Sequence, residues 1–299
     1  MSHIRGNNSL LVLVAVVMLA LTTIRCNILG TLTFRRSAQL RQVVVREDAI
    51  CCFSPHWHPD GRVYYLQSNM EARDYDGSLH SVRPDGTDDQ LVIDGHFDEF
   101  AFSANGRYFV LVRSNGKLEV LDTLGMLSTE LPTSASAVDV EFALGDTSIY
   151  YIARTQDFTE MGLYSILLDG EQDTLLMRLR SLPRRGFDVS SDGNSFICQE
   201  TLYSLNGGDR EYVKNVTGGV RFFGARDTAL LYSHEGELFL RDRLSGRTRS
   251  LNAKIEYTCL SDWPSWSMDR KSIVFSSTGG GEFILYGIWL LNPSDAGGD

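Results

Sequence analysis

The chain has 299 residues, of which 43% are hydrophobic and 22% charged, and it contains only seven prolines. These values are ordinary for a globular protein, so they exclude a largely disordered chain and favour one folded body over two. The first 46 residues contain six arginines and no acid, which leaves 22 basic and 38 acidic residues in the rest of the chain. A body this acidic repels phosphate backbones, which excludes general nucleic-acid binding.

A hydrophobic segment opens the chain. Residues 9–24 form an uninterrupted run of 16 residues without charge. This length lies between that of a secretory signal and that of a spanning helix, which needs about 20 residues. We therefore predict that residues 1–25 are a signal peptide or a membrane anchor and that residues 26–39 are a basic linker. Cys26 leaves lipidation open as a third alternative, although Arg25 stands where a lipobox has a small residue.

Two signals conflict over the side of the membrane on which the body lies. Arg25, Arg35, Arg36 and Arg41 follow the hydrophobic segment, and a positive flank favours the cytoplasm. The first segment of an exported protein, however, normally enters with its N-terminus inside, and the repeat described next is common outside the cytoplasm. We predict an extracytoplasmic body, in the periplasm or at the cell surface, either membrane-anchored or secreted.

A motif repeats along the rest of the chain with a period near forty. Six segments superpose without internal gaps, and their first residues lie 45, 40, 47, 34 and 43 positions apart. The copies are residues 57–66, 102–111, 142–151, 189–198, 223–232 and 266–275. This spacing is typical of one four-stranded propeller blade.

The columns of the repeat indicate a strand, a turn and a second strand. The first column is apolar in every copy, and the polar turn after it holds Gly61, Gly106 and Gly193, where a tight hairpin needs a positive φ. The last three columns are apolar in every copy, as expected for a strand buried between stacked blades. No copy contains a long amphipathic helix. We predict an all-β fold, a six-bladed β-propeller of four-stranded antiparallel blades, preceded by one N-terminal hydrophobic helix.

The pattern resembles the TolB-type propeller repeat, whose signature is approximately Trp-Ser-Pro-Asp-Gly-Lys/Arg followed by an apolar strand. Residues 57–62 and 266–271 match this signature best, and residues 102–107 are close to it. The third and fifth copies depart from it and are supported by their register alone. The resemblance covers about residues 47–292 and implies the fold. It does not imply a function, because propellers carry unrelated activities.

The chain ends predict how the ring closes. After its last apolar strand the chain ends in residues 293–299, a predicted flexible tail that is too short for a turn and a further strand. Residues 40–46 are rich in β-branched side chains and precede the first copy. Because an open sheet edge is a liability, we predict that residues 40–46 form the outermost strand of the last blade. The propeller would then span residues 40–292.

Candidate ligand-binding residues precede the repeat copies. Six acids fall where the innermost strands should run beside the central channel, and propellers commonly bind ligands or a cation at such a mouth. They are Asp98, Glu99, Asp139, Glu141, Asp188 and Asp262. Together with His56 they form the predicted channel-mouth site. No cofactor is predicted, although the acids would allow a channel-bound cation, and a solvated acidic rim is the alternative.

A histidine pair is the candidate metal site. His56 and His58 lie two residues apart, so on one strand they would point the same way. Some pectate-degrading propeller lyases carry a histidine-bound metal, which the resemblance makes relevant. His58, however, occupies the serine position of the repeat, where it would instead make a polar contact with the turn.

The five cysteines include no Cys-x-x-Cys motif, which disfavours zinc and thioredoxin-type sites. Cys51 and Cys259 precede Trp57 and Trp266 by 6 and 7 residues, and the first and last blades of a closed ring are neighbours. A disulfide between them would be allowed in an oxidising compartment. Cys198 stands in an apolar strand column and is predicted to be a small buried hydrophobe.

The functional prediction has two forms. No Ser/His/Asp set stands out and no Gly-x-Ser-x-Gly motif occurs, so no catalytic residue is predicted. The repeat and the anchor favour a non-enzymatic, membrane-tethered scaffold that binds a protein, a peptide or an envelope component, as a monomer. The alternative is an enzyme of the lyase or hydrolase kind, metal-dependent or not, or a small-ligand receptor, working at the channel mouth.

Overall fold

The computed structural model describes most of the chain after residue 39. The described residues are 40–44, 50–69, 77–124, 127–155, 160–179, 186–206, 210–216, 218–223, 227–235, 237–251, 262–267, 269, 271–278 and 286–291. The predicted N-terminal helix, basic linker and C-terminal tail fall outside these residues. No segment of the described chain forms a helix with the length and apolar character that a membrane span requires.

The regular elements of the described residues are all β-strands. In chain order they are β1 (Leu40–Val44), β2 (Ile50–Trp57), β3 (Val63–Asn69), β4 (Gly77–Val82), β5 (Gln90–Phe102), β6 (Tyr108–Arg113), β7 (Leu118–Asp122), β8 (Leu127–Leu131), β9 (Ser136–Phe142), β10 (Ser148–Arg154), β11 (Met161–Leu167), β12 (Thr174–Leu179), β13 (Phe187–Val189), β14 (Ser195–Cys198), β15 (Thr201–Ser204), β16 (Arg210–Tyr212), β17 (Val220–Phe223), β18 (Ala229–His234), β19 (Glu237–Asp242), β20 (Thr248–Ser250), β21 (Asp262–Trp266), β22 (Ile273–Thr278) and β23 (Tyr286–Leu291). The predicted all-β class is therefore confirmed for the described part of the chain.

The strands form antiparallel sheets in a propeller-like arrangement. Four sheets have four strands each, in the orders β9–β10–β11–β12, β13–β14–β15–β16, β17–β18–β19–β20 and β21–β22–β23–β1. Strands β2 to β8 form one seven-stranded sheet. Its central strand β5 has 13 residues and pairs with β4 mainly before residue 94 and with β6 from Phe97 onward.

Six strands, one from the start of each repeat, contact one another in a closed ring. Each of β2, β5, β9, β13, β17 and β21 packs against the next, and β21 packs against β2. These six strands are called the axial strands below. In each repeat the first column lies at or near the end of an axial strand, and the last three columns lie on the strand that follows it. Those last columns are buried as predicted, for example at Phe196, Ile197 and Cys198 of β14, except at Tyr150, which is partly buried.

The N-terminal strand completes the last sheet. β1 pairs antiparallel with β23, with Leu40 opposite Leu291 and Val44 opposite Ile288. The predicted closing strand is therefore confirmed over residues 40–44. Val43 and Val44 are only 5% and 4% exposed and belong to an apolar cluster with residues of β2, β3, β22 and β23. β1 thus covers the edge of the last sheet that β23 would otherwise expose.

The turn chemistry explains the polar columns of the repeat. In the second copy, Ser103 Oγ donates to Asn105 Oδ1 at 2.9 Å, and Arg107 N donates to the same oxygen at 2.8 Å. The fourth copy repeats the contact between Ser190 and Asp192 at 2.6 Å. These side chains satisfy backbone groups inside the hairpin, which is why serine and Asp or Asn recur at fixed offsets.

The third and fifth copies depart from the signature for a structural reason. Asp146 and Asp227 stand in the column that holds glycine in the first, second and fourth copies, and both adopt a positive φ, of 56° and 54°. Asp146 Oδ1 accepts from Ala104 N of the preceding copy at 2.9 Å, and Asp227 Oδ2 accepts from Ser191 N at 2.6 Å. The two aspartates therefore tie neighbouring turns together, a contact that glycine could not make.

Gly106 offers a test of how tightly the first two copies pack. It has a φ of +71°, and a Cβ there would lie 2.7 Å from His58 Cε1 and Nε2. Gly61 has a similar φ of +82° but nothing within 4 Å of the same position. Both substitutions to alanine carry a backbone cost of about 1–2 kcal/mol, and Gly106→Ala adds a clash worth about 1–3 kcal/mol. Urea unfolding should show Gly106→Ala as the less stable variant, and equal losses would contradict this packing.

Candidate functional site

Among the side chains that the structure describes, those of five axial strands form one polar and ionisable cluster. Each of these residues precedes the first column of its repeat copy by one to three positions. In chain order they are Ser54 and His56 of β2, Glu99 of β5, Asp139 and Glu141 of β9, Asp188 of β13 and Arg221 of β17. They are called the axial cluster below.

β-Bulges occur in four of the axial strands, close in sequence to the first column of each repeat copy. The pairing register shifts within β2, β5, β9 and β21, where each strand carries one residue more than its partner. In β5 the extra residue is Asp98, and in β9 it is Val138. Bulges re-aim neighbouring side chains and recur beside functional sites. The bulges therefore change which side chains of these strands face the cluster.

Ser54, His56 and Glu99 form one buried group within the cluster. Ser54 Oγ donates a short hydrogen bond to Glu99 Oε1, and Phe100 N donates to the same oxygen at 3.1 Å. His56 Nε2 lies 3.4 Å from Ser54 Oγ and 3.8 Å from Glu99 Oε1. Ser54 also has a φ of 48°, a left-handed conformation that is strained for a residue other than glycine.

Arg221 joins the remaining strands to this group. Its Nη1 donates to Glu141 Oε1 at 2.7 Å and, over a shorter distance, to the carbonyl oxygen of Phe187. Its Nη2 lies 3.4 Å from His56 Nε2. One guanidinium of β17 therefore contacts β9, β13 and β2. The contacts with β9 and β2 link repeats that are not neighbours in sequence.

The two aspartates of the cluster accept hydrogen bonds from the backbone. Val140 N donates to Asp139 Oδ1 at 2.9 Å. Asp188 Oδ1 accepts from Val189 N at 2.9 Å, and its Oδ2 accepts from Phe222 N of the next axial strand at 2.5 Å. These donors hold the carboxyl groups in fixed orientations beside Arg221.

Burial makes three acids of the cluster hard to ionise. It raises the pKa of Asp139 to about 8, helped by the charge of Glu99, and the pKa of Asp188 to about 6. Burial also holds the pKa of Glu141 well above its usual range. The Arg221 guanidinium at 2.7 Å acts in the opposite direction on Glu141, but burial and the neighbouring acids outweigh it.

The other three ionisable groups of the cluster are His56, Glu99 and Arg221, and each has the protonation state that its surroundings favour. Burial lowers the pKa of His56, so the imidazole is neutral and its Nε2 can accept from Arg221. Burial would raise the pKa of Glu99, but His56, the Ser54 hydroxyl and Arg221 together lower it. Burial likewise acts against the Arg221 charge, but the surrounding acids raise the pKa of Arg221 further. These contacts therefore hold Glu99 and Arg221 in their charged forms.

Ser54, His56 and Glu99 do not form a nucleophilic triad. In a triad the acid and the serine contact opposite nitrogens of the imidazole. Here both Ser54 Oγ and Glu99 Oε1 approach His56 Nε2, and the serine proton goes directly to the glutamate. Ser54 is also fully buried. The arrangement suits charge and hydrogen-bond stabilisation better than acyl transfer.

The structure brings together most of the channel-mouth residues predicted from sequence. His56, Glu99, Asp139, Glu141 and Asp188 all belong to the axial cluster. One candidate departs from the prediction and another is only partly described.

Asp98 is exposed rather than in the buried cluster, because it is the bulged residue of β5. The backbone of Asp262 starts β21, but its side chain lies outside the described residues.

Ser54 and Arg221 were not predicted. Arg221 carries a detectable signal, because it is the one arginine within three positions before a first column in any of the six copies. Ser54 offers no comparable signal, since its role depends on the bulge in β2 and on a partner 45 residues away.

His58 takes the structural role that its serine position suggested. It lies beyond the end of β2, with Nε2 3.2 Å from Gly106 O and Nδ1 3.3 Å from Asp60 N. Both nitrogens thus contact protein groups, and the ring packs within 5 Å of the rings of Tyr64 and Phe102. Among the described residues, no group of three or more His, Cys, Asp or Glu side chains is arranged to hold a metal ion. The histidine pair therefore remains a prediction without further support.

Of the cysteines, Cys198 is buried in β14 as predicted, and burial raises the pKa of its thiol. Cys51 is buried in β2, whereas Cys259 lies outside the described residues. The disulfide between Cys51 and Cys259 therefore stays a prediction.

Asp139 provides a test of the cluster's electrostatics. Because its pKa is raised from 3.8 to about 8 in the folded protein, its contribution to stability is complete below about pH 4 and is lost as the pH rises through 8. Asp139→Asn keeps the group neutral at every pH. Its stability relative to the unchanged protein should therefore rise between pH 5 and pH 9, by on the order of a few kcal/mol. Urea unfolding at several pH values measures this, and parallel pH profiles would contradict the burial of an ionisable Asp139.

Comparisons with known proteins identify the fold. No protein-family model matches the sequence, and no curated protein matches it. By structure the chain is similar to a gluconolactonase of Xanthomonas campestris, with a TM-score of 0.62 and 16% identity over 85% of this chain and 89% of that chain. It is also similar to the calcium-binding protein regucalcin of Agrobacterium tumefaciens, with a TM-score of 0.58 and 13% identity over 84% and 92% of the two chains.

A third similar structure is an oligogalacturonate lyase of Vibrio parahaemolyticus, with a TM-score of 0.56 and 8% identity over 87% of this chain and 95% of that chain. These proteins are β-propellers, and the low identities extend the likeness to the fold alone. The chain is therefore similar to propellers that include enzymes as well as a calcium-binding protein.

Proposed function

We propose that this protein is a six-bladed β-propeller of the TolB type that binds a small polar ligand at the axial cluster. We further propose that its N-terminal hydrophobic segment holds the propeller outside the cytoplasm, by anchoring it in the membrane or by directing its secretion. The observation that carries the ligand site is the concentration of six ionisable residues from five axial strands in one buried cluster.

The sheets form six blades if the seven-stranded sheet is divided into two blades that share β5. The first half of β5 is then the outermost strand of one blade, and the second half is the innermost strand of the next. Each of the six repeat copies then contributes one blade, and the six axial strands form the ring. The TolB type is favoured by residues 57–62 and 266–271, which carry the signature most completely.

The energetics of the axial cluster favour a binding role over a purely structural one. Taking an ion out of water costs several kcal/mol, and a well-packed apolar set is often as stable or more stable. Neighbouring positions of the axial strands are apolar and fully buried, as at Phe100 and Phe187, so the fold does not require charges at this level. Perturbed acids grouped beside a fixed arginine are typical of functional sites.

An enzyme is the second candidate, and one observation favours it. Asp139 holds a proton below about pH 8, and the neutral His56 can accept one, so an acid and a base lie in one cluster. The similar folds of a gluconolactonase and an oligogalacturonate lyase make a sugar lactone and a uronic-acid oligomer reasonable substrates to try. The protein-binding scaffold favoured by the sequence alone remains compatible with binding at the outer surface.

The membrane tether depends on residues 9–24 and is tested separately. Full-length protein should sediment with membranes of its host or appear in the exported fraction, and protein lacking residues 1–25 should be soluble. If protein lacking residues 1–25 still sediments with membranes, the propeller body has lipid affinity of its own and the tether proposal is incomplete.

The ligand site is tested by thermal unfolding of the full chain with a small set of probes. The probes are calcium chloride, glucono-1,5-lactone, D-gluconate, D-galacturonate and digalacturonate. At least one should raise the unfolding temperature of the unchanged protein, and Arg221→Lys should abolish the rise. Arg178→Lys is the matched control, because Arg178 pairs with Glu160 on the surface. A rise that survives Arg221→Lys would place binding elsewhere, and conversion of a lactone or oligomer would favour the enzyme.

A further inference from the structure

The contacts of Arg221 indicate which chemical group the ligand carries. Resting on the ligand site proposed above, we infer that the ligand presents a carboxylate to Arg221 and displaces Glu141 from it. Glu141 then takes up a proton from solvent, so that binding consumes about one proton per ligand.

Arg221 is held in place independently of Glu141. The carbonyl oxygen of Phe187 accepts from Nη1, and His56 Nε2 lies 3.4 Å from Nη2. These two groups come from strands other than that of Glu141, so the guanidinium keeps its position when Glu141 leaves. A positioned guanidinium matches a carboxylate through two parallel hydrogen bonds, which makes it a better partner for that group than for a neutral hydroxyl.

Glu141 is a weak occupant of this position. In the ion pair between the two residues, Oε1 of Glu141 contacts Nη1 of Arg221. A carboxylate in the ideal orientation would contact two guanidinium nitrogens at once. The side chain of Glu141 is 18% exposed, compared with 8% for Glu99, so Glu141 is the more accessible of these two acids. Burial and the neighbouring acids hold the pKa of Glu141 well above its usual range, which favours its protonated form once it leaves Arg221.

The groups around Glu141 make the exchange electrically feasible. Glu141 faces Arg221 of β17, Asp188 of β13, and Asp139 and Glu99 of β9 and β5. His56 of β2 is neutral, and Asp139 is protonated below about pH 8, so neither adds a charge that opposes the ligand. When Glu141 is protonated as well, Arg221 retains Glu99 and Asp188 as its charged neighbours. The carboxylate of the ligand then replaces the negative charge that Glu141 has lost.

The experiment is isothermal titration of the full chain with D-galacturonate, D-gluconate and, as a neutral analogue, D-galactose. Each titration is repeated in two buffers of different ionisation enthalpy, which reports the protons taken up. We expect at least one acid to bind at least about tenfold more tightly than galactose, with uptake of about one proton and tighter binding at pH 6 than at pH 8.

Variants identify the residue that takes up the proton. Glu141→Gln should bind the acid about tenfold more tightly and without proton uptake, because it neither competes for Arg221 nor titrates. Arg221→Lys should bind it at least about tenfold more weakly, because lysine cannot form the paired hydrogen bonds. Glu160→Gln, which alters an exposed ion pair, is the matched control and should leave binding unchanged.

The outcomes separate this inference from the proposal beneath it. Suppose that galactose binds here, or that calcium chloride raises the unfolding temperature in the earlier test, and that Arg221→Lys abolishes the effect. If no acid then binds more tightly than galactose, the ligand site stands and the carboxylate inference is wrong. Acid binding that Glu141→Gln leaves unchanged in affinity and proton uptake also overturns it. If none of the probes binds in a way that depends on Arg221, both the inference and the proposed ligand site fail.

Discussion

Replacing Arg221 with methionine should lower the free energy of unfolding by about 3–5 kcal/mol, the cost of leaving a buried partner charge uncompensated. Arg221 is the cation that Glu99, Glu141, Asp139 and Asp188 share in the described structure, and it is only 11% exposed. Methionine fills a similar volume but leaves the acids without that charge. Urea unfolding of the full chain at pH 8 measures the loss.

The loss should depend on pH in a defined direction. Acids whose pKa is raised in the folded protein become protonated as the pH falls, here through about 8 for Asp139 and about 6 for Asp188. A neutral acid does not need Arg221, so the destabilisation should be smaller at pH 5 than at pH 8. Arg178→Met, on the exposed surface, should cost less than about 1 kcal/mol at either pH. Equal losses for the two variants would show that the acids do not depend on Arg221.

Removing the closing strand should have the second large effect. Protein lacking residues 1–47 loses β1, including Val43 and Val44, which are 5% and 4% exposed. Full burial of one valine contributes about 1.5–3 kcal/mol, so the two side chains alone account for about 3 kcal/mol or more. The hydrogen bonds from β1 to β23 are lost as well, and the edge of the last sheet becomes open.

Protein lacking residues 1–35 is the matched comparison, because it loses the hydrophobic segment but keeps β1. It should unfold at a clearly higher temperature than protein lacking residues 1–47, by about 6 °C or more for a chain of this size. If the two melt together, β1 contributes nothing to closure. Val43→Lys in the full chain tests the same contact without a truncation and should also destabilise.

The sequence predicts the strands well because their signals are local. Three consecutive apolar columns predict the buried strand after each turn, and the serine and aspartate offsets follow from hydrogen bonds within one hairpin, as in Ser190 and Asp192. Pairing of residues 40–44 with the last blade was also predictable, since a β-branched segment precedes the first repeat copy and an open sheet edge is a liability.

The site was only partly predictable, because its geometry depends on contacts between distant strands. Selecting the acids that lie a few residues before the first column of each repeat copy correctly identifies Glu99, Asp139 and Asp188 as members of the axial cluster. It also selects Asp98, because a bulge that shifts the register of β5 by one residue leaves no mark in the sequence. Arg221 was missed because its partners lie 34 to 165 residues away in other repeats.

The central claim is that the axial cluster holds a ligand, and native mass spectrometry tests it most directly. Full-length protein is isolated gently from its own host, with Arg221→Lys and Arg178→Lys prepared in parallel. The unchanged protein and Arg178→Lys should carry the same small organic molecule, and Arg221→Lys should not. Bare protein in all three preparations, or the same molecule retained by Arg221→Lys, would contradict a ligand site at the axial cluster.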